Sequence, residues 1–367
     1  MTPQSQAEAM LVATPEVQQP SPFLHVGPDR VYDPLSDRML LSGEEGYEAL
    51  RLLLSGLPAP AAEVSRLAEQ GWVFPAGTDL SHRFLLKYVA LEAHTICNQS
   101  CYFCPVSIAP REDYFMPMEL YERILAELSA YRATIEGVFM INYNEPTLDR
   151  RFVDQVRAIK AAGLPPAVLT NGTGLTPDRV DQLVEMGGLR FLSINISTLD
   201  RDKYREDRGG DHLRLVLRNL EHAKDLPLAQ QMDMVVLGTG DPRHRSDYEE
   251  IRQRFTGSNF NVKYFEVNDR AGYLPIGLGG KGRTLKLRGC DHMGSRPLQH
   301  LLINPRGQVI LCCQDYSETE VVGDLTEMSL EQVLTGPVLA RMRRMIYGLE
   351  EAPAGFICRN CKFALTE

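Results

Sequence analysis

The chain has 367 residues, 44% of them hydrophobic and 24% charged, and its 39 basic and 48 acidic side chains give a formal net charge of −9. This balance excludes a low-complexity, disordered chain; with no basic stripe interleaved with aromatics, it also argues against nucleic acid or an anionic membrane as the main partner. The length fits a core of roughly 200 residues with one or two appended modules.

Residues 1–20 are polar and proline-containing, and a mobile tail is expected there. The opening MTPQSQAEAM lacks the basic start and apolar run of a signal peptide, and no later run reaches bilayer length, so a cytoplasmic protein is expected. Residues 21–80 read as a small α+β module. Phe23–Val26, Arg30–Tyr32 and Met39–Leu41 are strand-like, and the spacing of Tyr47, Leu50, Leu53 and Leu54, then of Val64, Leu67 and Ala68, predicts helices over Gly43–Leu54 and Ala61–Gln70. Pro58 and Pro60 separate the two helices.

From residue 85 to 275 apolar runs alternate with amphipathic ones. Strands are expected at Leu86–Ala93, Val138–Tyr143, Ala167–Thr170, Phe191–Ser197, Met232–Leu237 and Val262–Val267, with helices at Met118–Tyr131, Arg150–Ala162, Pro177–Met186, Leu213–Lys224 and Ser246–Phe255. Such alternation predicts an α/β domain with a parallel sheet, a partial (β/α)6 barrel whose active residues sit at the C-terminal ends of the strands. Gly277–Gly282 reads as a linker. In residues 283–367, Leu301–Ile303 and Val309–Leu311 flank a turn at Asn304–Gly307, and a helix is expected over Leu330–Tyr347 with Ser329 as its cap. A hairpin and one helix bury little core, so cysteines are expected to hold this module together.

The eight cysteines fall in two sets, Cys97, Cys101 and Cys104, and Cys290, Cys312, Cys313, Cys358 and Cys361. Clustering of this kind reads as metal ligation rather than disulfide bonding. Three thiolates on a loop after the first barrel strand leave one iron of a [4Fe-4S] cluster open for a chemical ligand. Zinc is the alternative, but its motifs are normally paired CxxC or CxxH, and a CxxxCxxC triple fits them poorly.

CxxxCxxC in this position resembles the radical SAM superfamily, and the resemblance runs from Tyr88 to Val267. It implies an open iron that chelates S-adenosylmethionine, with Phe103 near the adenine. Asn142-Tyr143-Asn144-Glu145-Pro146 resembles the family's GGEP segment with both glycines replaced, which implies that Asn144 and Glu145 bind the cofactor's amino group. Asn171, Asn195 and Ser197 stand at strand ends where the family binds the ribose hydroxyls and carboxylate. Asn268-Asp269-Arg270-Ala271-Gly272 resembles an NRxG-like segment, so Arg270 is expected to pair with a carboxylate of cofactor or substrate. Taken singly, these residues equally suit caps, turns and a surface salt bridge.

The second set, with Gly307 four residues before Cys312 and a closing CxxC, resembles the auxiliary-cluster domain called twitch, the shortened SPASM form. Its glycine spacing implies Cys290, Cys312, Cys358 and Cys361 as ligands of one auxiliary [4Fe-4S] cluster, a four-thiolate zinc site being the alternative. Neighbours on an extended strand face opposite sides, so Cys313 is left as a buried spectator or a hydrogen-atom donor.

The resemblance implies an oxidoreductase or maturase that cleaves S-adenosylmethionine to a 5′-deoxyadenosyl radical, served by an external electron donor such as flavodoxin or ferredoxin. The N-terminal module resembles, in shortened form, the leader-peptide recognition element of peptide-modifying members, so oxidation or crosslinking of a ribosomally made peptide is the leading expectation. A dehydrogenase or epimerase of a sugar or aminocyclitol in natural-product biosynthesis is the second. A non-catalytic metal-binding scaffold is the third.

Overall fold

The computed structural model describes residues 17–276 and 286–367. Residues 1–16 of the expected tail and the Gly277–Gly282 linker lie outside the described residues. The chain divides into two units, Met1–Leu80 and Ser81–Glu367.

The smaller unit runs β1 (Gln18–Pro20), β2 (His25–Val26), β3 (Arg30–Asp33), β4 (Arg38–Leu41), α1 (Tyr47–Leu54), α2 (Ala61–Glu69) and β5 (Val73–Pro75). Strands β2, β3 and β4 form an antiparallel meander, while β1 pairs with β5. Gln18–Pro20 is thus a strand and not part of a tail, because its backbone groups are taken up by Val73–Pro75, a run too short to read as a strand by itself. Helix α1 starts at Tyr47 rather than Gly43, since Gly46 at its N-terminus is left-handed with φ 90°. Val31, Leu50, Leu67 and Trp72 form the centre of this unit's core.

The larger unit begins with β6 (Tyr88–Leu91), α3 (Met118–Leu128), β7 (Gly137–Phe139), α4 (Phe152–Ala161), β8 (Pro166–Thr170), α5 (Pro177–Glu185), β9 (Leu189–Asn195), α6 (Arg201–Arg208), α7 (Leu213–Ala223), β10 (Ala229–Gly238), α8 (Pro242–Arg254) and β11 (Phe260–Glu266). Strands β6 to β11 pair in parallel in chain order, the expected partial barrel. Val89, Val138, Val168, Leu192, Ile194, Met234 and Val236 are fully buried in it; each apolar side chain of this size contributes ~2 kcal/mol. Helix α8 begins before Ser246, because Asp241 caps it and Pro242 occupies its first turn.

The chain continues with β12 (Leu287–Cys290), α9 (Arg296–Gln299), β13 (His300–Ile303), β14 (Gln308–Ile310), β15 (Val321–Asp324), α10 (Leu330–Leu334), α11 (Pro337–Ile346) and β16 (Ala364–Thr366). The hairpin expected to stand apart instead extends the barrel sheet. Strand β13 lies parallel to β6, with His300–Ile303 in register with Tyr88–Leu91, so one nine-stranded sheet leads into both the first cysteine loop after β6 and Cys312 and Cys313 after β14, while Cys290 lies on β12, paired with β16 in a separate two-stranded sheet. The helix expected over Leu330–Tyr347 is broken at Gly336-Pro337, where the proline starts α11. Ser329 does cap α10, in a capping box with Gln332. No helix among the described residues is long and apolar enough to cross a membrane.

Candidate functional site

The first three cysteines lie on the loop leaving β6. It is pinned at its base, where Met116 N–H donates to the Ala93 carbonyl at 2.8 Å and Glu145 N–H donates to the Ile96 carbonyl at 2.9 Å. At its tip, Ser100 and Tyr102 N–H donate to the carbonyls of Arg208 and Asp207 at 2.9 and 3.1 Å. The partner is the C-terminal end of α6, capped by left-handed Gly209 (φ 67°). A Cβ at Gly209 would stand 1.9 Å from Ser100 Oγ, so the loop and the helix approach this closely only with glycine there.

Arg208 is buried at 1% exposure and organises the loop. Its Nε donates to Ser197 Oγ at 2.7 Å, one Nη to Cys101 Sγ at 3.6 Å and the other to Asn195 Oδ1, while its guanidinium stacks 5.1 Å from the Phe103 ring centre. Asn195, Ser197, Cys101 and Phe103, each expected at the site, are therefore gathered on one guanidinium. Sequence reading missed it because α6, RDKYREDR, shows no apolar stripe; the remaining signal was Asp200 as N-cap with Gly209 as stop. Burial pushes the Cys97 thiol up to about 12 and that of Cys104 up to about 11, with the other thiols of the set adding to the effect.

Glu145 is fully enclosed. One oxygen accepts from Thr147 N–H at 3.1 Å and Thr170 Oγ1 at 2.5 Å, and the other from Asn171 N–H at 2.6 Å. Burial raises its pKa and these hydrogen bonds oppose the rise. Asn171 joins the same knot, donating to Asn98 Oδ1 at 2.9 Å and accepting from Thr173, so the end of β8 is tied to the cysteine loop. Asn144 accepts from Asn142 N–H at 3.1 Å, while its buried Nδ2 has no partner among the described residues. The two carboxamides, more than the Glu145 carboxylate, retain unused hydrogen-bonding atoms: Asn142 Oδ1 is also unpaired among the described residues.

Tyrosines and arginines cluster beside Cys313. Arg111 pairs bidentately with buried Glu92 at 2.9 and 2.6 Å and stands 5.8 and 5.9 Å from the Tyr143 and Tyr316 rings. Tyr143 and Tyr273 each meet Tyr316 edge-on, at 4.8 and 5.1 Å. Tyr143 donates through its hydroxyl to the Cys313 carbonyl, and Arg270 lies 5.5 Å from the Tyr143 ring centre. Neither was read from the sequence: Glu92 left only the signal of a carboxylate within an apolar strand run, and its partner Arg111 carried no periodic signal.

Cys290, Cys312, Cys358 and Cys361 line one pocket, together with His292, Arg296 and Phe363; Cys313 does not line it. Burial raises the pKa of Cys290 and Cys358 and pushes Cys361 up to about 12. His292 stacks on Phe363 at 3.8 Å and accepts from Arg296 Nε at 2.9 Å. Among the described residues, no three His, Cys, Asp or Glu side chains converge as around a single metal ion. Two groups of soft sulfur donors, one beside buried Arg208 and one beside Arg296, are chemically suited to iron-sulfur clusters, which require thiolates and a nearby cation favours.

Family models match residues 91–254 as radical SAM superfamily and residues 290–362 as an iron-sulfur cluster-binding domain, SPASM. A tungsten-containing aldehyde ferredoxin oxidoreductase cofactor-modifying protein of Pyrococcus furiosus is 31% identical over 112 residues, covering 30% of this chain and 31% of the relative. A probable GTP 3′,8-cyclase of Pyrococcus abyssi is 32% identical over 38% of this chain and 44% of its own length. The chain thus spans less than half of these two relatives. The S-adenosyl-L-methionine-dependent 2-deoxy-scyllo-inosamine dehydrogenase of Niallia circulans is 22% identical over 76% of this chain and 93% of its own. Among solved structures, Streptococcus suis SuiB bound to precursor peptide SuiA matches with TM-score 0.55 at 12% identity, covering 89% of this chain and 90% of that one. The protein anSMEcpe with bound AdoMet matches with TM-score 0.53 at 13% identity, covering 76% and 88%.

Proposed function

Because the chain carries a radical SAM domain joined to a SPASM iron-sulfur domain, we propose that this radical SAM enzyme abstracts hydrogen from a ribosomally made peptide and leaves it oxidised or crosslinked. One observation carries the peptide over a small molecule. Residues 81–367 are 287 of 367, or about 78% of the chain, so a fold match covering 89% must include part of the N-terminal unit. The match is to a protein whose structure holds a precursor peptide. The dehydrogenase relative, at 76%, is short enough to match without that unit.

When bound, a [4Fe-4S] cluster with S-adenosylmethionine supplies a 5′-deoxyadenosyl radical, and a second [4Fe-4S] cluster supplies an electron acceptor. Cys97, Cys101 and Cys104 would hold the first cluster. Arg208 fixes Asn195, Ser197 and Phe103 around it, while the Glu145 knot holds the ends of β7 and β8 against the cysteine loop. Asn142 and Asn144 offer their unpaired carboxamide atoms to the cofactor. The tyrosine layer excludes water, which protects a radical from quenching. Cys290, Cys312, Cys358 and Cys361 would hold the second cluster, and Cys313 stays beside Tyr143. An external donor such as reduced flavodoxin or ferredoxin would supply the electron.

The small-molecule dehydrogenase reading is favoured by the 93% coverage of the Niallia circulans relative. Deleting residues 1–80 separates the two. The expected outcome is lost turnover of a leader-bearing peptide, with dithionite-driven release of 5′-deoxyadenosine retained. Unchanged peptide turnover would sink the peptide reading.

A further inference from the structure

Tyr143 stands in the chain between Asn142 and Asn144, the two carboxamides whose buried Oδ1 and Nδ2 have no partner among the described residues. Its own side chain reaches the segment that carries the second cysteine set: the hydroxyl donates to the Cys313 carbonyl. The residue is 5% exposed and is held along its whole length. Its backbone N–H donates to Glu92 Oε1 at 2.8 Å, and that carboxylate, fully buried, is fixed by the two Arg111 contacts. Its ring meets that of Tyr316 edge-on at 4.8 Å.

The two ends of this strut are ordered by short-range bonds. At one end, Asn144 Oδ1 accepts from Asn142 N–H at 3.1 Å, bracketing Tyr143 between the two carboxamides. At the other, the Cys312 carbonyl accepts from Asp315 N–H at 3.0 Å, and Gln314 N–H donates to Cys312 Sγ at 3.5 Å. Asp315 is buried and accepts in turn from Glu320 N–H at 2.7 Å. Cys312 lines the pocket shared with Cys290, Cys358 and Cys361, so whatever fills that pocket acts on the residue next to the acceptor of the Tyr143 hydroxyl. A tyrosine is a rigid plane on two rotatable bonds. Clamped at the backbone, ring and hydroxyl, it transmits a shift of Cys312-Cys313 to Asn142 and Asn144 and has little freedom to absorb it.

Resting on the two-cluster reading above, we propose that the Tyr143 hydroxyl couples occupancy of the second cysteine set to S-adenosylmethionine binding at Asn142 and Asn144. Tyr143 is a positioning residue. With the second set loaded, Cys312 is restrained, the Cys313 carbonyl stays on the hydroxyl, and the two carboxamides keep the arrangement that the cofactor meets. With the second set empty, the acceptor shifts and the Asn142–Asn144 backbone loosens.

The test measures S-adenosylmethionine affinity by anaerobic calorimetry on reconstituted full-length protein in a four-way cycle: wild type, Tyr143→Phe, Cys358→Ala/Cys361→Ala, and the three changes combined. Tyr143→Phe keeps the ring and removes only the hydroxyl. Emptying the second set is expected to weaken binding about fivefold, a loss that saturating cofactor overcomes, and Tyr143→Phe is expected to weaken it by a similar factor, with the combined variant no weaker than either. Melting temperature is read in parallel, because a hydroxyl with a merely structural role lowers it without changing how affinity responds to the second set. Losses that multiply in the combined variant, an unmoved affinity in Tyr143→Phe, or an affinity that ignores the second set each overturn the coupling while the cluster reading stands. Iron is counted in every sample, with about eight per chain expected in wild type and in Tyr143→Phe. About four in wild type overturns the two-cluster reading and the proposal with it. About four in Tyr143→Phe alone overturns the coupling and makes the hydroxyl a support of the second site.

Discussion

The two cysteine regions reach similar chemistry by opposite routes. Cys97, Cys101 and Cys104 come from eight consecutive residues on one loop, so their proximity is local. The second set is assembled from β12, the end of β14 and the 3-10 turn Ile357–Asn360, segments brought together by the pairing of β12 with β16 and of β13 with β6. A local site needs only a loop held at both ends, here by Glu145 and Arg208. A composite site needs the whole surrounding fold, and its integrity is a stability question.

The sharpest way to break this comparison is to remove each set in turn. Cys97→Ala/Cys101→Ala/Cys104→Ala is expected to lose about four of eight irons and all release of 5′-deoxyadenosine. Cys358→Ala/Cys361→Ala is expected to lose the other four and keep that release, as measured by iron assay and chromatography. Equal loss from both variants would show that the halves are not separable.

A change remote from either set should act on the composite one. Arg343, buried on α11, donates to the carbonyls of Pro297, Ser81 and Leu334 at 2.9, 2.9 and 3.0 Å. Arg343→Met orphans all three, with an expected cost of about 3 kcal/mol in denaturant unfolding. Auxiliary iron should fall before the iron of the first set. Glu145→Gln probes the local site in the same way: a carboxamide cannot accept at both ends, so about 2 kcal/mol is expected, with weakened S-adenosylmethionine binding measured by calorimetry.

The smallest expected effect lies outside both regions and serves as their reference. Burial lowers the His25 pKa from 6.5 to about 4. The unfolded chain then binds this proton first as pH falls, so the contribution is whole above pH 6.5 and is lost as pH falls toward 4. Between pH 7.5 and 5.5 the full-length protein should lose about 1 kcal/mol through this group. His25→Gln should flatten that slope in pH-dependent melts; an unchanged slope assigns it to other groups.

The barrel was legible because its strands are short apolar runs at regular intervals, and because Pro177, Ser329 and similar signals act within one turn of themselves. CxxxCxxC was legible for the same reason, as one loop. Helix α6 was not, since eight residues without an apolar stripe carry no period, and Arg208 was hidden with it. Strands β1 and β5 escaped because each is a strand only through the other, and the break at Gly336-Pro337 was overrun by helical periodicity on both sides.

The sequence by itself determined the alternating α/β order, the local cysteine loop and the candidate sulfur donors, because each depends on neighbours a few residues away. Tertiary structure decided that β13 joins the barrel sheet, that four cysteines and not Cys313 line one pocket, and that Arg208 gathers the strand-end polar groups. These are long-range pairings whose partners lie tens to hundreds of residues apart. Hydrogen bonding and burial fix them only when the whole sheet closes, and no periodicity records them.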